Sequence, residues 1–201
     1  MKLWIFGDSY ADENFDRAGI GANMWVKQLE KHFDVQNYAR RGTGPDWSLN
    51  ILLDLLPVSE PTNLLWIGTS ISRPNLNCLE PEEQVSAISW IDNHSEYEFL
   101  FNQLMATPDW CKTEEHKQFS AINSITHQFN KVLYMPVHPI NTEMVNNIDI
   151  ADNLHLFDNN LIDISVSEPE YAQVDGPDYR SNHFSQYNHN LLLEKTLDIL
   201  N

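Results

Sequence analysis

The stretch LWIFGDSYAD, residues 3–12, joins a short apolar run to a glycine, a carboxylate and a hydroxyl. Its first four residues have the length and composition of a buried β-strand. Gly7, Asp8 and Ser9 then end that strand at once. Such an end is either an ordinary turn, for which these residue types are suited, or a strand tip that presents a serine for chemistry. In both cases we expect the Asp8 carboxylate to hydrogen-bond within its own loop.

Apolar runs of strand length alternate with stretches of helical periodicity along the chain. The pattern predicts strands at 2–6, 34–39, 63–68, 131–137 and 153–158, helices at 24–33, 46–56 and 185–200, and a helical insertion around 80–130. Because parallel neighbouring strands need crossover helices, this alternation predicts an α/β domain of three layers. Its sheet is expected to be mainly parallel, five-stranded and flavodoxin-like. Without repeats or linker-like segments, residues 1–201 are expected to form a single domain.

Acidic residues outnumber basic ones by 29 to 12, which gives a formal net charge of -17. Such a surface repels phosphate backbones and anionic membranes, so neither nucleic acid nor a membrane is an expected partner. The first strand begins directly after Met1 and Lys2, with no sign of a signal peptide, and no apolar run reaches the roughly 18 residues of a membrane span. A cytoplasmic protein is therefore expected. The sequence does not indicate its oligomeric state.

Three turns that contain glycine follow three consecutive predicted strands. Gly7-Asp8-Ser9 follows the first strand, Gly42-Thr43-Gly44 the second and Gly68-Thr69-Ser70 the third. Ligands of open α/β sheets bind at the carboxyl ends of the strands. The three turns together therefore predict a site at that edge of the sheet. Because the eight histidines show no H-x-H or H-E-x-x-H spacing, no metal is expected there.

The GDS motif, the glycine turn after the second strand and a histidine before the last helix resemble the SGNH/GDSL hydrolases, which are serine esterases and acylhydrolases. The resemblance spans the chain, from FGDSYAD to SNHFSQYNHNLLLEKTL. It implies that Ser9 is the nucleophile. It also implies that His183 is the base, since a serine hydroxyl is a poor nucleophile until a neighbouring group removes its proton. His189, farther along the last helix, is expected to be a surface or helix-face residue.

The resemblance further implies an oxyanion site built from backbone N–H groups of Ser9 and Gly42, with Gly44 as the alternative to Gly42. The third block of the family, G-x-N-D, reads GTSISRPN here, so Ser70 stands where the asparagine belongs. Ser70 is the expected substitute donor, and the alternatives are Thr69, Arg73 and Asn75. Loss of one oxyanion donor typically slows turnover by about 10²–10³-fold, which would weaken an enzyme without abolishing its activity.

The acid that orients the histidine departs from the family pattern as well. An aspartate is expected three residues before His183, and Arg180 stands there. Asp178 is the predicted orienting acid, and Asp175 is an alternative. A backbone carbonyl that holds the imidazole of a Ser–His dyad is a third possibility.

Arg40, Arg41 and Arg73 are scarce positive charges near the predicted site, and they either pair with nearby acids or hold a negatively charged substrate group. The residues predicted to contact substrate are Asp8, Arg41, Thr69, Arg73, Asn75 and His138, of which His138 follows the fourth strand.

The function that the resemblance implies is hydrolysis of an ester through an acyl-serine intermediate, a mechanism that requires no cofactor and no metal. The substrate is expected to be a small molecule or a carbohydrate ester, and the lack of an obvious exposed apolar segment favours a small acyl group such as acetyl. Transfer of the acyl group to another alcohol is a weaker option. Because the family's asparagine and aspartate are both missing, a catalytically weak or inactive protein that binds a ligand or partner is the alternative.

Overall fold

A computed structural model describes residues 1–14, 21–41, 43–68, 108–137, 140, 145–146, 148–161, 164, 184 and 186–201. These residues contain five strands: β1 (Lys2–Phe6), β2 (Asp34–Asn37), β3 (Thr62–Gly68), β4 (Val132–Pro136) and β5 (Leu154–Leu156). They contain the helices α1 (Trp25–Gln28), α2 (Pro45–Leu55), α3 (Pro108–Ile125) and α4 (Gln186–Leu200). Short 3-10 turns lie at Gly21–Asn23, Leu29–Lys31 and Thr126–Gln128.

The strands form one sheet in the order β2-β1-β3-β4-β5, and every neighbouring pair is parallel. This is the flavodoxin-like order, so the predicted sheet is confirmed. The chain moves from β1 to β2 on one side and then to β3 on the other side of β1. Such a reversal opens a crevice between the carboxyl ends of β1 and β3, where ligands bind in folds of this type.

Helices cover both faces of the sheet, which gives the expected three layers. All seven residues of β3 and all five of β4 are buried, as expected for central parallel strands. On one face, the side chains of α1 and α4 pack with Leu3, Ile5 and Ile67. On the other, the side chains of α2 and α3 pack with Phe6 and Trp66. No helix among the described residues is both long enough and apolar enough to cross a bilayer.

Most element boundaries differ from the sequence pattern by one or two residues, and two elements are clearly shorter than expected or change type. The helix expected at 24–33 is the short α1 followed by a 3-10 turn, a tightening that is common in the last turn of a helix. The strand expected at 34–39 ends at Asn37, whose side-chain oxygen accepts a hydrogen bond from the Ala39 N–H at 3.0 Å. The Tyr38 and Arg40 N–H groups still donate to the Ile5 and Gly7 carbonyl oxygens at 2.8 and 3.0 Å, so hydrogen bonding to β1 continues beyond the last residue of β2. Of the insertion expected around 80–130, the structure describes residues 108–130.

Gly7 directly follows β1. Its backbone conformation is one that other residues rarely adopt, and its surroundings leave no room for a side chain. Its φ is +154°, and a Cβ added there would lie 2.5 Å from the Ile67 Cβ in the neighbouring strand. We expect Gly7→Ala to lower the free energy of unfolding by about 2–4 kcal/mol, because steric overlap adds to backbone strain.

Gly21→Ala is the matched control for this prediction, to be compared by urea denaturation. Gly21 also has a positive φ, +59°, but nothing lies within 4 Å of its added Cβ. The free energy of unfolding of Gly21→Ala should therefore fall by only about 1–2 kcal/mol, the cost of the left-handed conformation for alanine. Equal losses in the two variants would contradict the packing argument.

Candidate active site

The loop after β1 forms a single helical turn with Ser9 at its start. The Ala11 and Asp12 N–H groups donate to the Asp8 carbonyl oxygen at 3.1 and 3.0 Å. The Asp8 side chain is 1% exposed, and its Oδ1 accepts from the Tyr10 N–H at 3.1 Å, so the expected bond within the loop is present. Ser9 is 7% exposed and lies at the carboxyl edge of the sheet, beside the crevice between β1 and β3.

The loop after β2 is tied to this turn by hydrogen bonds. The Arg40 N–H donates to the Gly7 carbonyl oxygen at 3.0 Å, and the Arg41 N–H donates to Asp12 Oδ2 at 2.9 Å. Within the second loop, the Thr43 hydroxyl donates to the Arg40 carbonyl at 2.6 Å. The chain then enters α2, whose N-cap is Gly44. The first two predicted site loops therefore lie side by side, as the parallel pairing of β1 and β2 requires.

An aromatic contact joins the first loop to the segment before α4. The rings of Tyr10 and Phe184 lie 5.1 Å apart, centroid to centroid, and both residues are buried. Tyr10 directly follows Ser9 in the sequence, and Phe184 directly follows His183. The described neighbours of the two predicted catalytic residues therefore pack against each other.

A closed set of contacts supports this aromatic pair. The His189 ring meets Phe184 edge to face at 5.7 Å, and its Nδ1 accepts from the Trp25 N–H at 3.1 Å. The Trp25 indole in turn donates to the Tyr10 carbonyl oxygen at 3.1 Å. The sequence predicted a surface or helix-face residue; His189 lies on a face of α4 but is only 6% exposed, so the surface position was wrong. It lies on the buried face of α4 because its ring fills the space between α1 and Phe184.

The last residue of β3, Gly68, lies against a buried tyrosine. A Cβ added at Gly68 would be 3.0 Å from the Tyr134 hydroxyl oxygen of β4. Burial raises the pKa of this phenol, and the Glu115 carboxylate of α3 raises it further. The hydroxyl therefore stays protonated at the base of the third predicted loop. Burial also raises the pKa of Glu115.

The two arginines of the second loop are both exposed but differ in their contacts. The Arg40 guanidinium carbon lies 5.0 Å from the centroid of the Trp47 ring, which is a cation–π contact at the first turn of α2. The contact of Arg41 described above is made by its backbone. A role for either side chain in holding an anionic substrate group stays a prediction.

Most of the predicted site lies outside the described residues. Ser9, Asp8 and Arg41 are described, whereas these predicted residues are not: Gly42, Thr69, Ser70, Arg73, Asn75, His138, Asp178 and His183. The first and second loops are therefore seen to meet, and the roles of the remaining residues stay predictions.

Two residues that the sequence motifs did not single out lie at this site. Asp12 lies one helical turn after Asp8, and its carboxylate contacts the second loop. Phe184 follows the predicted base and packs on the first loop. Their sequence positions could have indicated both residues. Asp12 is a carboxylate at the end of the GDS turn, and Phe184 is an apolar residue inside a polar segment.

No known family model matches the sequence, and no curated protein matches it. Solved structures do match its fold. One is the psychrotrophic esterase EstA from Pseudoalteromonas sp., in a structure inhibited by monoethylphosphonate. The two sequences are 15% identical, the match covers 99% of this chain and 96% of that chain, and the TM-score is 0.56.

Two further structures match over similar lengths. A member of the lipolytic protein G-D-S-L family from Veillonella parvula is 13% identical, with 100% of this chain and 98% of that chain covered and a TM-score of 0.56. The acetylxylan esterase Axe2 from Geobacillus stearothermophilus is 11% identical, with 98% of this chain and 93% of that chain covered and a TM-score of 0.54. The chain therefore has the SGNH/GDSL hydrolase fold, as its sequence motifs predicted.

Proposed function

We propose that the protein is a serine esterase that removes small acyl groups, such as O-acetyl groups of carbohydrates, through an acyl-serine intermediate. Ser9 is the nucleophile, His183 the general base and Asp178 the acid that orients the imidazole. The N–H groups of Ser9 and Gly42, with the Ser70 hydroxyl in place of the family's asparagine, stabilise the oxyanion.

The packing of Tyr10 on Phe184 is the observation that carries this proposal. The ring centroids are 5.1 Å apart, and each ring belongs to the residue after one predicted catalytic residue. Consecutive Cα atoms are about 3.8 Å apart, so this contact supports an approach of the two segments that carry the nucleophile and the base. A serine–histidine pair needs that proximity, because the base must reach the hydroxyl proton at about 2.6–3.2 Å.

The proposed reaction has two steps. His183 takes the Ser9 proton while the serine oxygen attacks the ester carbonyl, and the resulting oxyanion accepts hydrogen bonds from the amides. The alcohol leaves with the proton returned by His183, and the acyl group stays on Ser9. Water then attacks the acyl-serine with His183 again as base, which releases the carboxylic acid and the free hydroxyl.

Two observations support a small acyl group on a polar alcohol. Ser9 is 7% exposed in a turn packed closely against the second loop, and the long apolar surface that a fatty chain would need is not apparent in the sequence. The similarity in fold to an acetylxylan esterase supports the same choice.

The test is to incubate the protein with p-nitrophenyl esters of increasing chain length, with acetylated xylo-oligosaccharides and with a fluorophosphonate probe. We expect covalent labelling, and turnover that is highest for acetyl and falls with chain length. Correctly folded protein that neither labels nor turns over any ester would refute the proposal. That outcome would favour a ligand-binding protein with the hydrolase fold.

A further inference from the structure

We infer that Asp12 is a positioning residue of the oxyanion site: its buried carboxylate holds the second loop against the nucleophile turn. The inference rests on the proposed function, because it concerns how the Gly42 amide is aimed. It assigns to Asp12 no contact with the substrate.

Both oxygens of the Asp12 carboxylate are used for backbone hydrogen bonds. Oδ1 accepts from the Asn14 N–H at 2.9 Å, and Oδ2 accepts from the Arg41 N–H at 2.9 Å. The residue is 6% exposed. Hydrogen bonds to an ionised acceptor are roughly twice as strong as neutral ones, and burial protects them from competition by water. Asp12 is thus fixed on its own loop by one oxygen and holds the second loop by the other.

The bond to Arg41 is made immediately before the predicted oxyanion residue. Gly42 follows Arg41 in the sequence, so the held N–H belongs to the preceding peptide group. Asn37 provides another side-chain tie between the loops, through its Nδ2 and the Ala11 carbonyl oxygen at 2.9 Å. That tie lies at the end of β2, farther along the chain from Gly42. Of the two, the Asp12 bond is the one made at the residue directly before Gly42, so the inferred positioning role belongs to Asp12.

The effect of losing this tie follows from the geometry of oxyanion stabilisation. The donors must lie about 2.7–3.1 Å from the developing oxyanion, and loss of a whole donor costs about 10²–10³-fold in kcat. A donor that is misdirected keeps part of its effect. We therefore expect Asp12→Asn to lower kcat by about 10–100-fold while KM changes less than about threefold, because the ground-state carbonyl depends less on the oxyanion donors.

Asp12→Asn is the sharpest variant, because it keeps the size of the side chain and leaves one carbonyl oxygen. Asparagine has one acceptor oxygen where aspartate has two, so one of the two backbone N–H groups faces an NH₂ donor and loses its bond. The other bond is weakened because its acceptor is no longer charged, so the tie to Arg41 is weaker in either orientation of the amide. Asp34→Asn is the matched control. It makes the same change of charge at an exposed position at the start of β2, at the amino-terminal end of the strands and away from the site. Asp34→Asn should leave kcat and KM unchanged.

The measurements are kcat and KM for p-nitrophenyl acetate per active site, titrated with the fluorophosphonate probe, together with thermal unfolding. A fall in kcat per labelled site, with KM retained, supports the positioning role. Wild-type kcat per labelled site in Asp12→Asn overturns it, even if the variant is less stable, and so does a rise in KM alone. If wild-type protein neither labels nor turns over, the proposed function fails and this inference with it. If the wild-type protein turns over the ester and Asp12→Asn does so equally well, only the inference about Asp12 is refuted and the proposed function stands.

Discussion

Replacing Ser9 by alanine is expected to abolish fluorophosphonate labelling and to lower kcat for p-nitrophenyl acetate by about 10³–10⁶-fold. The hydroxyl oxygen is the atom that forms the acyl bond, so the substitution removes the covalent step. Residual turnover would come from the remaining oxyanion donors and substrate binding, which alone accelerate hydrolysis over water in enzymes of this kind. Labelling is read by mass spectrometry and kcat by release of p-nitrophenol.

Ser48→Ala is the matched control for the nucleophile. The Ser48 side chain is fully buried in α2, and its hydroxyl has no hydrogen-bond partner among the described residues. Removing an unpaired buried hydroxyl is close to neutral or stabilising, so labelling and kcat should match the wild type. Stoichiometric labelling that persists in Ser9→Ala would show that another residue is the nucleophile.

The second large effect is expected for His183→Ala. Without its base the serine hydroxyl remains protonated during attack, so kcat should fall by about 10³–10⁶-fold, close to the loss in Ser9→Ala. Because the two residues act as a unit, the double variant should be scarcely slower than either single variant. Labelling by the probe should slow in proportion, since attack on phosphorus needs the same proton transfer.

His127→Ala provides the control for the histidine substitution. His127 is exposed and precedes β4, so it lies at the opposite end of the sheet from the predicted site. We expect wild-type kcat and labelling in this variant. If His183→Ala retained wild-type kcat, or if losses in the two single variants multiplied in the double variant, His183 would not be the base for Ser9.

The sheet could be predicted from sequence because its signals are local. β3 and β4 each overlap a short apolar run, 64–68 and 132–137, with polar residues on both sides, and central parallel strands look like this because both faces are covered. The glycine turns located the candidate edge by the same logic, since parallel strands place their carboxyl ends together.

The packing around the candidate site could not be predicted in the same way. The contact of Tyr10 with Phe184, and the burial of His189 against Trp25, join segments from opposite ends of the chain. Nothing in their local sequence selects these partners. His189 has the spacing of a helix-face residue, and which face is covered depends on where α1 packs.

The role inferred for Asp12 illustrates the same limit. A carboxylate after GDSYA satisfies several local patterns, including a turn-forming residue hydrogen-bonded to the N–H two positions ahead, which it does contact at Asn14. Its second bond, to Arg41, depends on the pairing of β1 with β2. Side-chain contacts between loops therefore follow from topology and become visible only when the strands are placed.

The most direct test of the account is a crystal structure of the protein after reaction with the fluorophosphonate probe. We predict a covalent bond from phosphorus to Ser9 Oγ, a ring nitrogen of His183 within about 3.2 Å of that oxygen, and the Gly42 N–H directed at the phosphoryl oxygen. A phosphonyl group on another residue would contradict the account. So would a His183 imidazole that points away from an unmodified Ser9.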